Sequence, residues 1–302
     1  MLPFARVSII GLGLIGSSIA RAVKQHMPGV TLIGHDDSAE VRETARALGL
    51  VDDVTDTAGA AVIDAELVIL CVPVGVMGTV ASSIAHDLPH EAIISDVGSS
   101  KASVLSALSA ALPGRIIIPA HPVAGTERSG PEAGFAALFH NRWCILTPPE
   151  GADTGKVAQL QAFWERLGAK VDVMDAQHHD LVLAITSHLP HLIAYTIVGT
   201  ASDLETVTQS EVIKYSAGGF RDFTRIAASD PIMWRDVFLS NKDAVLETLQ
   251  RFSEDLTALQ RAIRWGDGDA LLDLFTRTRA VRRSIIEQGQ DDDRADFGRA
   301  DH

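Results

Sequence analysis

The segment IPAHPVAGTERSG at residues 118–130 places His121 directly after an apolar, strand-like run. A neutral imidazole can accept the proton of a substrate hydroxyl, which is the general-base role when a hydride leaves the carbinol carbon. The loop behind it is densely polar, with Thr126, Glu127, Arg128 and Ser129. A histidine that merely caps the end of a strand is the simpler interpretation of the same residues.

A second set of residues has the spacing of a dinucleotide site. GLGLIG at residues 11–16 follows the first apolar run and opens a helical pattern. Gly11 allows a tight turn, Gly13 lets the backbone approach a pyrophosphate, and Gly16 lets the helix pack closely on the strand. Leu14 and Ile15 complete this predicted cofactor-binding loop. A glycine turn that serves only packing is the alternative.

Asp36 ends the second apolar run, twenty positions after Gly16. A carboxylate there accepts hydrogen bonds from ribose hydroxyls and repels a 2′-phosphate. The segment HDDSAE contains no arginine that could bind such a phosphate. The pattern therefore predicts NAD in preference to NADP, with Asp37 as a second candidate for the ribose contact.

The elements that must position these residues form an α/β pattern up to residue 174. Apolar runs alternate with helical patterns, which predicts a Rossmann-type, doubly wound parallel sheet with both faces covered. The predicted strands lie at residues 7–11, 31–36, 67–72, 92–97, 115–120, 143–148 and 170–174. His121 and the loops CVPVGVM, with Val72 and Pro73, and DVGSSK, with Ser99, follow strands at the carboxyl edge, where such sheets bind ligands.

After Asp175, a predicted helix N-cap, the pattern becomes all-helical. We therefore predict a nucleotide-binding domain at residues 1–174, a helical substrate and dimerisation domain at 175–290, and a disordered tail at 291–302. Pro190 should kink the first helical stretch. Long amphipathic helices without a sheet often bury their apolar faces against a second subunit, so we expect a homodimer.

The 302-residue chain is 46% hydrophobic and has a formal net charge of -13. This charge argues against nucleic acid or an anionic membrane as a partner, since both need clustered Lys and Arg, and an anionic small molecule is the expected ligand. Cys71 and Cys144 have no disulfide or metal spacing, so no metal is predicted. The N-terminus lacks signal-peptide features and we expect no apolar run of about 18 residues, which predicts a cytoplasmic protein.

Five segments occur in the order and spacing of one enzyme family. They are GLGLIG, DVGSSK, HPVAGTERSG, SHLPH at residues 187–191, and GGFRDFTRIAASDPIMWRD at residues 218–236. With them the chain resembles the prephenate and arogenate dehydrogenases of tyrosine biosynthesis. The resemblance implies oxidative decarboxylation of a cyclohexadienol, with hydride transfer to NAD and aromatisation of the ring.

The resemblance also implies roles for single residues. His121 matches the catalytic histidine, Ser99 a serine that holds the hydroxyl end of the substrate, and Arg225 an arginine that grips a carboxylate. The other implied substrate-site residues are Ser187 and His191, which line the pocket, Trp234, which reaches toward it, and Glu127 and Asp180, which tie the interdomain cleft together by ionic hydrogen bonds.

Other interpretations stay open at this point. Ser99 could cap a helix, and the charged and aromatic residues could be ordinary surface or core positions. A dehydrogenase of β-hydroxy acids is the alternative enzyme, although such enzymes typically use a lysine where this chain offers His188 and His191. An NAD-sensing binding protein would need neither His121 nor Arg225. For the enzyme we expect kcat to fall at low pH with an apparent pKa of about 6.5, as for a mildly perturbed histidine.

Overall fold

The computed structural model describes residues 2–126, 128–208, 214 and 218–287. Its backbone packing divides the chain into two compact units, Met1–Leu246 and Glu247–His302. The domain boundary predicted after residue 174 is a different division and stays a prediction. Glu127 and the tail predicted to be disordered at residues 291–302 lie outside the described residues.

The first unit contains a parallel sheet of six strands. The strands are β1 Arg6–Ile10, β2 Thr31–His35, β3 Asp53–Val54, β4 Leu67–Leu70, β5 Ile93–Asp96 and β6 Ile116–Ile117, and the helices among them are α1 Leu14–His26, α2 Ala39–Ala47, α3 Ala58–Val62, α4 Met77–Ile84 and α5 Ala102–Ala111. The strand order is β3-β2-β1-β4-β5-β6, and every pairing is parallel. This is the predicted Rossmann-type topology. Only β3 was missing from the prediction, because two residues carry no periodic signal.

Both faces of this sheet are buried, as the continuously apolar runs predict. Ile9 of β1 belongs to one hydrophobic core, which includes Phe163 and Trp164. Its neighbour Ile10 belongs to the other core, which includes Met77 and Leu108. Successive residues of a strand point to opposite faces, so each central strand needs apolar residues at every position.

A second sheet corrects the prediction of one parallel sheet. Strands β7 Ala120–Pro122, β8 Trp143–Leu146 and β9 Lys170–Val173 form it, with α6 Thr154–Arg166 between the last two. β7 pairs antiparallel with β8, and β8 pairs parallel with β9. The predicted strand 115–120 is thus two strands separated at Pro119, whose ring nitrogen has no hydrogen to donate to a ladder. His121 lies inside β7 and faces Ile145 across the ladder.

From Ala176 onward the described part of the first unit is helical. It comprises α7 Ala176–Leu183, a π-helical segment Ala184–His188, α8 Leu189–Thr208, α9 Gly218–Thr224, a 3₁₀ segment Arg225–Ala228 and α10 Pro231–Ser240. Asp175 is the N-cap of α7, as predicted, and its carboxylate accepts from the amides of Gln177 and His178. The π-helical segment ends two residues before Pro190, and such widened turns are frequent at functional sites.

The stretch Ala176–Leu204 is long and apolar enough to cross a membrane, with a mean hydropathy of 1.6 over its best window. This corrects the expectation that the chain lacks such a run. Residues 181–202 of the stretch contain no Asp, Glu, Lys or Arg, so its hydropathy stays high. The core helix of a soluble protein passes the same test of length and composition.

The second unit consists of helices among its described residues. α11 Lys242–Trp265 runs across the division between the units, and α12 Gly268–Glu287 follows a turn at Gly266, whose φ is +68°. Both helices expose large apolar side chains, among them Leu256, Ile263, Trp265, Leu272, Phe275 and Val281. Apolar surface of this extent usually marks an interaction face.

Candidate active site

The glycine loop between β1 and α1 has the shape that a dinucleotide requires. Gly11 has a φ of +99°, and a Cβ there would lie 2.3 Å from the carbonyl oxygen of Cys71. A Cβ on Gly16 would lie 2.0 Å from the carbonyl oxygen of Gly11. At Gly13, by contrast, a Cβ would meet no described atom within 4 Å, so the backbone there is open to a ligand. Leu14 and Ile15 form the first turn of α1. The loop therefore fits a bound dinucleotide.

Asp36 follows β2 and is tied to this loop. Its carboxylate accepts from the amide of Leu12 at 2.8 Å and from that of Ser38 at 3.0 Å. Each carboxylate oxygen can accept more than one hydrogen bond, so capacity for ribose hydroxyls remains. Arg42 lies nearby and its Nη1 donates to the carbonyls of Asp36 and Asp37, at 2.7 and 3.0 Å. An arginine thus stands beside Asp36, although the segment HDDSAE contains none.

The loops after β4 and β5 contact α10. Val72 packs on Gly11, since its Cγ1 would lie 3.2 Å from a Cβ atom placed on that glycine. Pro73 precedes the 3₁₀ turn Val74–Val76 as its N-cap. In the DVGSSK loop, Ser100 Oγ is 2.6 Å from Ser240 Oγ at the end of α10. The helical part of the unit therefore closes over the carboxyl edge of the parallel sheet.

A fully buried ion pair lies beneath His121. Lys101 Nζ donates to the carboxylate of Asp96 and to the carbonyl of Ala120, and Asp96 accepts from the amides of Gly98 and Ala120. Burial raises the pKa of Asp96 and lowers that of Lys101, while each partner opposes the shift of the other. Both backbone polar groups of Ala120 are thus held by this pair, which fixes the strand immediately before His121.

His121 heads a chain of three buried side chains. Its Nδ1 is 2.9 Å from Nε2 of His179, and Nδ1 of His179 is 2.8 Å from Oδ1 of Asp180. His179 is fully buried, and Asp180 and His121 are nearly so. His121 and His179 lie on different elements, β7 and α7, so the sheet and the first helix of the helical part meet here.

Burial keeps these imidazoles neutral. It lowers the pKa of His121 well below its usual value, and repulsion by a proton on His179, by Lys101 and by a proton on His188 lowers it further. Burial also lowers the pKa of His179, against the opposing hydrogen bond to Asp180. The pKa of His188 falls to about 4, again mainly through burial. The pKa of His121 therefore lies below the value of about 6.5 expected from the sequence, which did not show its burial. The acid limb of kcat itself stays a prediction.

Asp180 joins the helical part of the unit to the loop before α5. Its two oxygens accept from the backbone amides of Lys101 and Ala102, at 2.7 and 2.9 Å, and so cap the N-terminus of α5 from a distant helix. Within the described chain Lys101 itself provides no side-chain cap. The backbone carbonyl of Asp180 accepts from Asn241 Nδ2, which also lies 3.1 Å from Nδ1 of His188.

An aromatic wall lies beside this chain. The ring of His191 stacks on Trp234 with centroids 3.7 Å apart, and Nδ1 of His191 donates to the carbonyl of Ser187 at 2.8 Å. Trp234 is buried, and His188 approaches it edge-on. Arg225 is exposed at the start of its 3₁₀ segment, and its charge lowers the pKa of His191, although burial is the larger cause.

The structure thus brings His121, Asp180, His191 and Trp234 into one connected region, with Arg225 close to His191. Ser99 lies half-buried in the loop before α5, and its backbone raises the pKa of His188, so it adjoins the same region. The predicted contact of Glu127 lies outside the described residues. Among the described residues, no group of three His, Cys, Asp or Glu side chains is arranged to hold a metal ion.

Sequence reasoning missed His179, Lys101, Asp96 and Asn241. His179 had a usable signal, because helical periodicity places it with the buried Leu183 while His178 falls on the exposed side. Asp96 ends a continuously apolar strand, which indicates a buried carboxylate that needs a partner. Nothing in the sequence around Asn241 indicates its contact with His188.

The features of this site are those of a nucleotide-dependent dehydrogenase. They are a Rossmann-type sheet with an open glycine loop, an acidic residue after β2 and a buried neutral imidazole. The sequence model of the prephenate dehydrogenase nucleotide-binding domain matches residues 19–173, and that of the prephenate dehydrogenase dimerization domain matches residues 175–277. The chain belongs to the prephenate dehydrogenase family.

Individual relatives agree with this membership. The chain is 48% identical to a cyclohexadienyl dehydrogenase of Zymomonas mobilis, over 94% of this chain and 97% of the relative. It is 36% identical to a prephenate dehydrogenase of Bacillus subtilis, over 92% and 76% of the two chains. Among solved structures, the Aquifex aeolicus prephenate dehydrogenase in complex with hydroxyphenyl propionate and NAD+ superposes with a TM-score of 0.87 at 32% identity, over 94% and 98% of the chains.

Proposed function

We propose that this chain catalyses the oxidative decarboxylation of prephenate to 4-hydroxyphenylpyruvate, of arogenate to tyrosine, or of both, with NAD as cofactor. Membership of the prephenate dehydrogenase family supports the reaction, and the solved relative with NAD+ supports the cofactor. When bound, NAD accepts the hydride from the ring carbon that carries the hydroxyl. The ring carboxylate leaves as carbon dioxide and the ring becomes aromatic, which makes the reaction strongly downhill.

The observation that carries this proposal is the state of His121. Burial holds its imidazole neutral, and Nδ1 is occupied by His179 at 2.9 Å, so Nε2 is the nitrogen that can accept the hydroxyl proton. The ion pair below it fixes Ala120 and with it the direction of the ring. A histidine that only capped a strand would need none of these supports.

The residues around His121 suit an anionic ring substrate. The stacked pair of His191 and Trp234 offers a flat apolar surface against which a ring can be oriented. Arg225 supplies a planar bidentate donor for a carboxylate. We assign Ser99 and Ser187 to the polar edge of the same pocket, with Ser99 at the hydroxyl end of the substrate, and we keep Glu127 as a proposed residue of the cleft.

The cofactor is assigned to the opposite side of the cleft. We propose that the amides of the loop from Gly11 to Gly16 hold the pyrophosphate at the N-terminus of α1, and that Asp36 binds the ribose hydroxyls. Val72 and Pro73 border the cofactor at the end of β4. These residues exclude water and set the face of the dinucleotide that is offered to the substrate.

The assembly and location follow from surface and charge. We propose a homodimer, because the helices after residue 175 expose large apolar side chains and match a dimerization domain. We keep residues 1–174 as the nucleotide-binding domain and 175–290 as the helical domain of that dimer. With a net charge of -13 the protein is proposed to act in the cytoplasm on small molecules, without a nucleic-acid or membrane partner.

Steady-state kinetics with both substrates tests the proposal. His121→Asn should lower kcat by roughly 100-fold or more with little change in KM, because a general base acts in the transition state. Arg225→Ala should raise KM about 30-fold, equivalent to about 2 kcal/mol, because a bound carboxylate loses its charged partner. The exposed His86→Asn and Arg221→Ala serve as controls. If neither substrate is oxidised, or if His121→Asn keeps its turnover, the proposal is wrong.

A further inference from the structure

The hydrogen bonds of the chain His121, His179 and Asp180 determine which nitrogens carry hydrogen. Two backbone amides already donate to the Asp180 carboxylate, so it acts as an acceptor and Nδ1 of His179 must be the donor. In a neutral imidazole the other nitrogen then has a lone pair. Nε2 of His179 is therefore an acceptor, and Nδ1 of His121 donates to it. Nε2 of His121 is left unprotonated.

Charges around the chain favour a positive charge on His179 rather than on His121. A proton on His121 is opposed mainly by burial, and also by Lys101 and by any proton on His179 or His188. A proton on His179 is favoured by its hydrogen bond to Asp180 and by the charges of Asp180 and Asp96, although Lys101 and burial oppose it. Asp180 touches His179 directly and does not touch His121, so the second imidazole is the better resting place.

We propose that His179 is a proton-relay residue, which receives the hydroxyl proton of the substrate through His121 and holds it against Asp180. This rests on the proposed function of His121 as the base. In one step the substrate O–H bond breaks as the Nε2–H bond of His121 forms, and the Nδ1–H bond of His121 breaks as the Nε2–H bond of His179 forms. The charge comes to rest in a His179–Asp180 ion pair, and the proton returns through His121 to water after the product leaves.

His179→Gln tests the relay. The glutamine amide oxygen can still accept the hydrogen bond from His121, but it cannot take up a proton. We expect kcat to fall roughly 100-fold with KM changed less than about threefold. The acid limb in the plot of kcat against pH should move to lower pH, because it then reports the protonation of His121 alone instead of the coupled protonation of His121 and His179.

His178→Gln is the matched control, because His178 is the exposed neighbour on the same helix. It should leave kcat, KM and the acid limb unchanged. A His179→Gln enzyme that keeps kcat within about twofold and the acid limb of the parent would overturn the relay and leave His179 a structural residue. If His121→Asn loses turnover while His179→Gln keeps it, the relay is wrong and the proposed function stands. If His121→Asn also keeps its turnover, the proposed function is wrong.

A measurement on the parent enzyme keeps the test independent of how the variant folds. Single-turnover rates in mixtures of H₂O and D₂O should fall along a curve, because two protons move in the same step. A straight line would mean that one proton moves, and it would overturn the proposal even where His179→Gln is unstable. Far-UV circular dichroism and NAD binding of the variant report separately on folding.

Discussion

Replacing Lys101 by methionine should be among the most damaging single changes in this protein. The substitution removes a charge-assisted hydrogen bond to Asp96, worth about 1.5–3 kcal/mol, and leaves the carbonyl of Ala120 without its donor, at about 1–3 kcal/mol. The sum agrees with the roughly 3–5 kcal/mol lost when one partner of a buried ion pair is removed. Since Ala120 precedes His121, kcat should fall as well.

Urea unfolding followed by far-UV circular dichroism measures this loss, at one fixed protein concentration because a dimer makes the midpoint concentration-dependent. Asp96→Asn combined with Lys101→Met removes the unpaired charge while keeping an amide oxygen for the Gly98 amide, so the double variant should be more stable than Lys101→Met alone. Lys24→Met breaks an exposed pair with Asp52 and should change stability by less than about 1 kcal/mol. A Lys101→Met variant as stable as Lys24→Met, or a double variant that recovers nothing, would refute the reasoning.

Three further predictions follow from the site and the surface. Asp36→Ala should raise kcat/KM with NADP relative to NAD, because the Arg42 guanidinium remains beside the proposed ribose position. Adding Arg42→Leu should cancel this gain. An unchanged ratio of the two kcat/KM values in Asp36→Ala would contradict the assignment. Light scattering should give twice the 32.3 kDa of the chain, and a fully active monomer would remove the dimer proposal. The free energy of unfolding should fall as pH drops from about 6.5 toward 4, because His121, His179 and His188 bind protons at higher pH in the unfolded chain than in the folded one. An unfolding free energy that stays constant over that range would contradict their lowered pKa values.

Much of the nucleotide half could be predicted from sequence because its signals are local. A continuously apolar strand, a glycine turn and an acidic residue after the second strand each follow from neighbouring residues, and β1 and β2 lie within one residue of their predicted positions. The second sheet could not be predicted, because the antiparallel pairing of β7 with β8 depends on contacts between distant residues.

The candidate site was predicted in part for the same reason. The strand-end position indicated His121 and the resemblance supplied Arg225 and Asp180, but neither indicated that backbone amides and His179 would hold the Asp180 carboxylate. The pKa of His121 depends on burial by several elements, which no local pattern encodes. His179 was passed over because a histidine on a helix is more often at the surface, and only its register with Leu183 distinguishes it from His178.

The capping of α5 by Asp180 makes the order of synthesis matter. Lys101 and Asp180 are 79 residues apart, so at roughly 5–20 residues per second the ribosome delivers the cap about 4–16 seconds after the helix it completes. Until then the amides of Lys101 and Ala102 have no carboxylate to accept from them, and the loop before the helix, which includes Ser99, is held only through Asp96. A nascent chain can therefore complete its glycine loop well before the N-terminus of α5 is capped, and a fragment cut after residue 174 lacks that cap.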